Sequence, residues 1–265
     1  MATSNEFTGL LLEQDEDRKV SNSIQTISND QLPEGDVSIA VKYSTLNYKD
    51  GMIIKGIGRL VRDYPHIPGI DFCGVVEDSS SPDYKPGDEV ILTGWRVGEI
   101  HWGGFATRAR VKSEWLVRLP KGLSLEQSMA IGTAGLTAML AIMTIEEHGL
   151  TPEKEGEVLV TGAAGGVGSI AVSILSNIGY DVAAGTGRAE QHDYLKSLGA
   201  KSIVIREELA EVPRGPLGGE RWLSVVDNVG GEGLGNILLS VAYWGTVASV
   251  GNAGGIEFKS NVLPF

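Results

Sequence analysis

The pattern of apolar and polar positions changes character partway along the chain. Up to residue 123, alternations such as Val37, Ile39, Val41 and Tyr43 follow turns rich in glycine and proline. A period of two is typical of half-buried β-strands. The same pattern recurs in IPGIDFCGVVED, KPGDEVILTG and GGFATRARVKSEWLVRLP. We therefore predict a compact β-rich domain, antiparallel or barrel-like, over residues 1–123.

From residue 124 onward, β-like and helix-like segments alternate. A helix is predicted to begin after Ser124, which can cap it, because Gln127 has the capping-box spacing. Helix-like stretches then separate the β-like segments GEVLVTG, YDVAAGT, KSIVIR, RWLSVVDNVG and GTVASVGN. Such alternation is the signature of a parallel sheet covered by helices. The prediction is an α/β chain whose second domain, residues 124–265, holds a doubly wound parallel sheet.

A glycine-rich turn joins the first strand and helix of this alternation. Positions 162–168 carry four glycines between a strand predicted over 157–161 and a helix predicted to begin near Ser169, with Ile170, Ile174 and Ile178 on one face. Free amides and the positive end of a helix dipole can hold a pyrophosphate there, and glycine leaves the approach open. Close strand-to-helix packing is the alternative explanation. The βαβ context on both sides favours dinucleotide binding, in the variant spacing GAxGGVG.

The next predicted strand indicates which nicotinamide cofactor binds. An acidic residue about 20 positions beyond the turn would bind the adenosine ribose of NAD, whereas an arginine can accept the 2′-phosphate of NADP. Here the strand ends in Thr186, Gly187 and Arg188, so a hydroxyl, a glycine and a cation stand where the acid would be. We therefore predict NADPH, although Arg188 could also be a surface residue at a helix start.

Charge and cysteine content narrow the class of protein. The 34 acidic and 22 basic residues give a net charge of −12, which argues against nucleic acid or anionic lipid as a partner. The single cysteine, Cys73, excludes an internal disulfide and fits a reducing compartment. The N-terminus has no basic region followed by a long apolar core, and no apolar run approaches the roughly 18 residues of a membrane span. These features predict a cytoplasmic protein that does not enter membranes.

Segments along nearly the whole chain are similar to one family. They are LPEGDV, STLNYKDGM, IPGIDFCG, GDEVILTGW, GEIHWGGFA, IGTAGLTAML, VTGAAGGVGS, DYLKSLGA and VDNVGG. In these segments the chain resembles the medium-chain dehydrogenase/reductase superfamily, and within it the zinc-free quinone oxidoreductase-like branch that includes the acrylyl-CoA reductases. The resemblance implies a GroES-like catalytic domain, a Rossmann domain and an active site in the cleft between them. Family members continue beyond NVLPF with a last Rossmann strand and a return to the first domain, so the resemblance implies either that the sequence is incomplete there or that the protein is truncated.

The resemblance implies chemistry without zinc. Where zinc-dependent relatives carry catalytic ligands, this chain has Asn47, Ile70 and Thr133, none of them a plausible zinc ligand here. The implied reaction is NADPH-dependent reduction of an activated carbon–carbon double bond, above all that of acrylyl-CoA to propionyl-CoA. Two alternatives stay open: an NADPH quinone oxidoreductase, and a non-catalytic protein that binds NADPH. The implied partner is a small molecule, and a homodimer is left open because family members usually pair through Rossmann edges.

The resemblance also implies roles for individual residues. Tyr48 would lie beside the nicotinamide, either as a proton donor or as an aromatic wall of the pocket. The residues implied to bind the cofactor are Tyr48, Thr133, Ala164, Gly165, Gly166, Val167, Thr186, Gly187, Arg188, Arg206 and Asn252. Separately, the loop KGIGRLVRDY gathers Lys55, Arg59 and Arg62, which could receive the phosphates of coenzyme A. Ordinary solvated side chains explain that loop equally well.

Overall fold

The computed structural model describes residues 5–213 and 215–265, and the chain forms two compact units that divide after Thr133. The division lies inside the helix that follows Ser124 rather than at its start. The first unit is β-rich and antiparallel, and the second is α/β and parallel. The predicted fold class is confirmed in both respects.

In its described residues, 5–133, the first unit contains seven strands, one short α-helix and the start of a second helix. Their bounds are β1 Glu6–Gln14, β2 Val20–Ser28, β3 Val37–Tyr43, α1 Tyr48–Ile54, β4 Asp71–Ser79, β5 Glu89–Thr93, β6 Arg108–Val111 and β7 Val117–Arg118. The strands β1 and β2 form a hairpin, and the other five form an antiparallel sheet in the order β6-β3-β4-β5-β7. A buried apolar cluster that includes Val37, Phe72 and Leu92 holds this sheet together.

A second apolar cluster positions α1. Ile53 on the inner side of the helix packs with Leu12 of β1, Val61 of the following loop and Ile70. Ile53 is 1% exposed, whereas Tyr48 at the start of the same helix is 66% exposed. The helix therefore buries Ile53 in its last turn and presents its first residue to solvent.

The second unit alternates helices and strands. Their bounds are α2 Leu125–Glu147, which begins in the first unit, then β8 Glu157–Val160, α3 Gly166–Asn177, β9 Asp181–Thr186, α4 His192–Ser197, β10 Ser202–Ile205, α5 Arg206–Ala210, β11 Trp222–Asp227, α6 Gly231–Leu238 and β12 Val241–Ser249. All strand pairs are parallel, in the order β10-β9-β8-β11-β12. Numbered within the unit this is 3-2-1-4-5, the Rossmann order through its fifth strand. The order reverses between β8 and β11, where such sheets bind ligands.

The helix α2 begins as the sequence predicts. The Ser124 hydroxyl accepts from the Gln127 amide at 3.1 Å, and the Ser124 amide donates to the Gln127 side chain at 2.9 Å, which completes a capping box. Inside the helix, Gly132 leaves helical geometry with φ 51° and ψ −159°. In length and composition α2 could cross a membrane, so the expectation that no apolar run approaches that length is wrong. Core helices of soluble proteins can be equally long and apolar, and 44% of an apolar 18-residue stretch of α2 is buried.

The helix α3 begins earlier than the sequence predicts. It begins at Gly166 instead of near Ser169, and β8 ends one residue earlier than expected. The fully buried residues are Gly168, Ala171, Val172 and Leu175. Ile170 and Ile174 are only half-buried, and Ile178 is 43% exposed. Ile170 and Ile174 pack against the buried cluster that contains Ala171, Val172 and Leu175, so they border the buried face of the helix.

Candidate active-site regions

The glycine turn between β8 and α3 has a backbone conformation and a close packing that side chains at two of its positions would not allow. Gly162 has φ +56°, the left-handed region that favours glycine. A Cβ at Gly168 would lie 2.7 Å from the Ala163 Cα, closer than real atoms approach. Gly168 therefore permits the helix to pack against the turn, while Gly162 permits the turn itself.

The open end of α3 can hold an anion. Gly165 caps the helix without a side chain, and the amides of Gly166 and Val167 open its first turn, where a helix supplies no acceptor of its own. Gly165 and Gly166 are exposed, and the nearest atom to a Cβ built at Gly166 is the Ala134 Cβ at 3.4 Å. Open amides at the positive end of a helix dipole form a phosphate site. The turn thus offers the chemistry predicted for Ala164, Gly165, Gly166 and Val167.

Asp227 organises the carboxyl edge of the sheet. Its Oδ1 accepts from the Thr161 hydroxyl at 2.6 Å, which links the end of β11 to the end of β8. Its Oδ2 accepts from the Gly230 amide at 2.9 Å, and its carbonyl accepts from the Val250 amide at 2.7 Å. One buried carboxylate residue therefore fixes the loops that follow three neighbouring strands, at the place where the strand order reverses.

Asn228, which the sequence predictions did not include, presents an acceptor at this edge. Its Nδ2 donates to the Thr161 carbonyl at 2.8 Å, which sets the orientation of the amide group. Its Oδ1 is buried and has no partner among residues 5–213 and 215–265. An unpartnered buried acceptor is costly unless a ligand completes it. The position directly after a parallel strand, beside the glycine turn, was the available sequence signal.

Two arginines gather beside the end of β9. The Arg188 amide donates to the Thr186 hydroxyl at 3.2 Å, and its guanidinium donates to the Ala164 carbonyl at 3.4 Å. A Cβ at Gly187 would lie 3.1 Å from the Arg206 Nε, so Arg206 covers that glycine. Neither arginine forms an ion pair with any carboxylate that the structure describes. Two cations without an ion-pair partner among the described residues therefore stand at the end of β9, beside the glycine turn.

Asn252 lies at the same edge of the sheet. It stands in the turn after β12, where its carbonyl accepts from the Gly255 amide at 3.0 Å. A Cβ at Gly230 would lie 3.3 Å from the Asn252 Cα, so this turn passes close to the loop after β11. The second unit therefore brings together Asn252, Asn228 and the glycine turn along one sheet edge.

Asp71 organises the corresponding region of the first unit. The Thr45 hydroxyl and amide donate to its Oδ1 at 2.6 and 3.0 Å, and the Thr133 amide donates to its Oδ2 at 2.8 Å. The Asn47 Nδ2 donates to the same Oδ2 at 3.4 Å. Gly132 allows this arrangement, since a Cβ there would lie 3.2 Å from Oδ2 and its φ is left-handed. One carboxylate joins three separate chain segments.

Asp50 holds the start of α1 in a similar way. Its Oδ2 accepts from the Asn47 amide at 2.8 Å, and its Oδ1 accepts from the Ile70 amide at 3.1 Å. Burial raises the pKa of the Asp50 carboxyl, and the charge of Asp71 raises it further, while these hydrogen bonds oppose the change. Tyr48, next to Asn47, therefore projects from a fixed helix start.

Asn47, Ile70 and Thr133 stand where zinc-dependent relatives carry metal ligands, and each makes other contacts in this structure. Asn47 and Thr133 bond to Asp71, and the Ile70 side chain is buried in the apolar cluster beneath α1. Within residues 5–213 and 215–265, no three His, Cys, Asp or Glu side chains come together in a group that could hold a metal ion. Cys73 is buried, and burial raises the pKa of its thiol.

Arg59 and Arg62 take no part in the hydrogen bonds of Asp71 and Asp50 described above. Both line a separate pocket of the first unit, beyond the end of α1, and Lys55 does not line it. The structure therefore separates these two arginines from the Asp71 network, and from Tyr48 by the length of α1.

Comparison with known protein families covers most of the chain. Residues 33–121 match the alcohol dehydrogenase GroES-like domain, and residues 166–265 match the zinc-binding dehydrogenase family. These matches fall one in each compact unit. An antiparallel GroES-like domain followed by a nucleotide-binding parallel sheet is the architecture of a two-domain dehydrogenase.

Named relatives narrow the family. The acrylyl-CoA reductase AcuI of Ruegeria pomeroyi is 55% identical over 260 residues, which cover 98% of this chain and 78% of that protein. The putative quinone oxidoreductase YhfP of Bacillus subtilis is 47% identical over 259 residues, which cover 98% of this chain and 78% of that protein. The crystal structure of Bacillus subtilis yhfP with NAD bound has a TM-score of 0.93, and the match covers 99% of this chain and 79% of that one. The crystal structure of the yhdH oxidoreductase of Salmonella enterica in complex with NADP is 50% identical, with a TM-score of 0.92 and coverage of 97% and 78%.

Fold, site and similarity agree on the class: this chain is an oxidoreductase of the two-domain dehydrogenase type. It belongs to the medium-chain dehydrogenase/reductase superfamily, in the quinone oxidoreductase-like branch. The resemblance stated from the sequence is confirmed.

Proposed function

We propose that this chain reduces the carbon–carbon double bond of acrylyl-CoA to give propionyl-CoA, with NADPH as the reductant. The observation that carries the cofactor half of the proposal is that Arg188 and Arg206 lie beside an open glycine turn and form no ion pair with any described carboxylate. The 55% identity to an acrylyl-CoA reductase supports the substrate half.

The residues present suit NADPH. The amides of Gly166 and Val167 would hold the pyrophosphate, and Arg188 with Arg206 would hold the 2′-phosphate. The unpartnered Oδ1 of Asn228 suits the amide donor of the nicotinamide end. When bound, NADPH supplies a hydride. The NADP bound by the Salmonella relative supports this assignment, whereas the NAD bound by the Bacillus relative makes the choice between the two nucleotides worth measuring.

Reduction of acrylyl-CoA requires a proton donor and hydrogen-bond donors to the thioester carbonyl oxygen. The thioester carbonyl of acrylyl-CoA withdraws electrons from the β-carbon, which makes that carbon the hydride acceptor. The negative charge that develops on the carbonyl oxygen needs hydrogen-bond donors, and the α-carbon then takes a proton. Tyr48 is exposed, is held by the Asn47–Asp50 capping box and carries a hydroxyl that can serve either need. We assign Tyr48 as the residue that donates the proton or orients the nicotinamide ring.

Replacing Tyr48 with phenylalanine separates these two roles. If the hydroxyl donates the proton, Tyr48→Phe lowers kcat by about 100-fold, within the usual contribution of general acid catalysis, with little change in the Kd of NADPH. Unchanged turnover with intact NADPH binding would leave Tyr48 only the role of an aromatic wall.

A quinone reductase is the second candidate, because a relative 47% identical to this chain is named a putative quinone oxidoreductase. Steady-state assays with acrylyl-CoA, crotonyl-CoA and 1,4-benzoquinone, each with NADPH, distinguish the candidates. The proposal predicts the highest kcat/KM for acrylyl-CoA. A preference for the quinone would favour the second candidate. Binding of NADPH without turnover of any acceptor would favour a non-catalytic role.

Several finer assignments remain predictions of this proposal. The cofactor-binding roles of Thr133 and Asn252, a cytoplasmic location and a homodimeric assembly rest on the resemblance to the family. The boundary between the two functional domains near residue 123 also remains a prediction from the sequence. A small-molecule substrate agrees with the names of the oxidoreductase relatives.

A further inference from the structure

The first unit contains a pocket of about 380 Å³ that the proposed chemistry does not use. The end of the β1–β2 hairpin forms one wall, through Gln14 and Arg18, and the loop that follows α1 forms the other. Ile53 and Val61 line it as well, and both belong to the buried apolar cluster beneath α1. The pocket therefore combines an apolar floor with walls from two chain segments.

Three arginines line this pocket. Arg18 comes from the hairpin, whereas Arg59 and Arg62 come from the loop after α1. None of the three forms an ion pair among the residues that the structure describes. Acidic side chains adjoin them in the sequence, at 15–17 and 63, but none of those lines the pocket. In a protein with a net charge of −12, three unpaired guanidinium groups around one cavity are a local exception that suits an anion.

The backbone holds two of the arginines in conformations that cost free energy. Arg18 has φ 63° and Arg59 has φ 50°, both in the left-handed region that non-glycine residues rarely adopt. The Gln14 side chain donates to the Arg18 carbonyl at 3.3 Å, which ties the hairpin turn. Gly56 brings the opposite wall close, because a Cβ there would lie 2.7 Å from the Val20 Cγ2. Strained residues clustered at one cavity favour a binding role over an accidental surface.

We propose that this pocket binds the 3′-phosphoadenosine diphosphate end of the coenzyme A thioester. Guanidinium groups bind phosphate through paired hydrogen bonds, and the apolar floor suits an adenine ring. The assignment rests on the proposed function, since it takes acrylyl-CoA as the substrate. Tyr48 begins α1 and the pocket lies at the other end, about 10 Å along a seven-residue helix. The pantetheine arm, which separates thioester from phosphates, would run along α1.

The test compares two thioesters and a direct binding measurement on the full chain. The double variant Arg59→Gln/Arg62→Gln and the single variant Arg18→Gln each remove charge from a different wall. Lys121→Gln, an exposed residue of the first unit outside the pocket, is the matched control. Kinetics use acrylyl-CoA and acrylyl-N-acetylcysteamine, which lacks the nucleotide, at saturating NADPH. Coenzyme A itself is titrated by calorimetry without NADPH.

We expect both pocket variants to raise the KM for acrylyl-CoA and the Kd for coenzyme A, by about tenfold or more in the double variant. The kcat/KM for acrylyl-N-acetylcysteamine and the Kd for NADPH should stay as in the wild type, as should every value for Lys121→Gln. Higher salt should weaken coenzyme A binding to the wild type more than to the double variant.

Other results would overturn the assignment. Coenzyme A binding that is undetectable in the wild type, or equal in the wild type and both pocket variants, would remove it. The assignment would also be overturned if the pocket variants lost kcat/KM equally on the two thioesters, or if they bound NADPH more weakly while their Kd for coenzyme A stayed the same. If the wild type binds coenzyme A through these arginines but does not reduce acrylyl-CoA, the pocket stands and the proposed function fails. Reduction of acrylyl-CoA with unchanged KM in the pocket variants leaves the function standing and removes the pocket.

Discussion

The two candidate active-site regions are built on different principles. In the second unit, the nucleotide edge is shaped by backbone: glycines at 162 and 168 allow a turn and a close helix, and open amides face outward. In the first unit, the region around Tyr48 is shaped by two buried carboxylates, Asp50 and Asp71, which collect donors from separate segments.

This difference determines what each region tolerates. A backbone-built site fails when an added side chain meets the main chain, and it has no group to titrate. A carboxylate-built site fails when an acceptor becomes a donor, even if the shape of the side chain is kept. Different substitutions should therefore impair the two regions independently.

The largest expected effect is steric and falls on the backbone-built region. Gly168→Ala places a methyl group 2.7 Å from the Ala163 Cα, so either α3 or the turn must move. We expect the free energy of unfolding to fall by about 3 kcal/mol and NADPH binding to weaken severely. Urea unfolding followed by circular dichroism, together with NADPH titration, measures both.

Gly233→Ala is the matched control for that substitution. Gly233 also lies in a helix, α6, but a Cβ there meets nothing within 4 Å. We expect this variant to unfold within about 0.5 kcal/mol of the wild type, or to gain slightly, because alanine favours helices. Equal losses in the two variants would contradict a steric origin at Gly168.

A smaller effect is expected in the carboxylate-built region. In Asp71→Asn one oxygen becomes an NH₂ group, and both carboxylate oxygens face donors from Thr45 or Thr133. We expect a loss of about 2 kcal/mol in the free energy of unfolding. Because Asp71 positions the segment before Tyr48, kcat/KM should also fall by about 100-fold while the Kd of NADPH stays nearly constant.

Asp36→Asn tests whether that loss is specific. Asp36 is half-buried and accepts from the Ser113 amide at 2.6 Å and from its hydroxyl at 2.8 Å, away from the Asp71 network. This variant should lose stability but keep its kcat/KM. A similar loss of kcat/KM in both variants would mean that activity follows stability alone.

These contrasts also explain what the sequence could reveal. Contiguous features were predictable: the glycine turn, the Ser124 capping box, and the Thr186–Arg188 segment that has a cation where an acid would bind NAD. Each depends on residues within a few positions of one another. The start of α3 was misplaced because glycines, poor helix formers, open it.

Features that depend on distant residues could not be read from one sequence. Asp71 joins Thr45 to Thr133, and the arginine pocket joins Arg18 of the hairpin to Arg59. Only the fold places such pairs together. Asn228 was missed because an asparagine after a strand is common in turns, and only its unpartnered Oδ1 distinguishes it.

The smallest expected effect is a dependence on pH that belongs to the first unit. Burial lowers the pKa of His66 and of His101, outweighing the hydrogen bonds of their rings to the carbonyls of Gly98 and Arg110. Between the lowered folded pKa and 6.5, the unfolded chain binds more protons. Stability is therefore fully present above pH 6.5 and is lost as the pH falls through the folded pKa.

Urea unfolding at several pH values from about 7.5 to about 5, the range in which histidine titrates, measures this loss. The variant His101→Gln should reduce the slope of stability against pH. The raised pKa of Asp50 acts in the opposite sense, since protonation favours the folded state between 3.8 and the raised value. The histidine effect is therefore clearest just below pH 6.5. An unchanged slope in His101→Gln would show that this residue does not contribute.

The most direct test of the account is the choice between two nucleotides at the edge of the parallel sheet. Kd values for NADPH and NADH are measured by titration for the wild type and for the variants Arg188→Ala and Arg188→Ala/Arg206→Ala. We predict that the wild type binds NADPH about 100-fold more tightly, and that the double variant loses this preference while its Kd for NADH stays the same. Comparable Kd values for the two nucleotides in the wild type, with Arg188→Ala changing neither, would contradict the account.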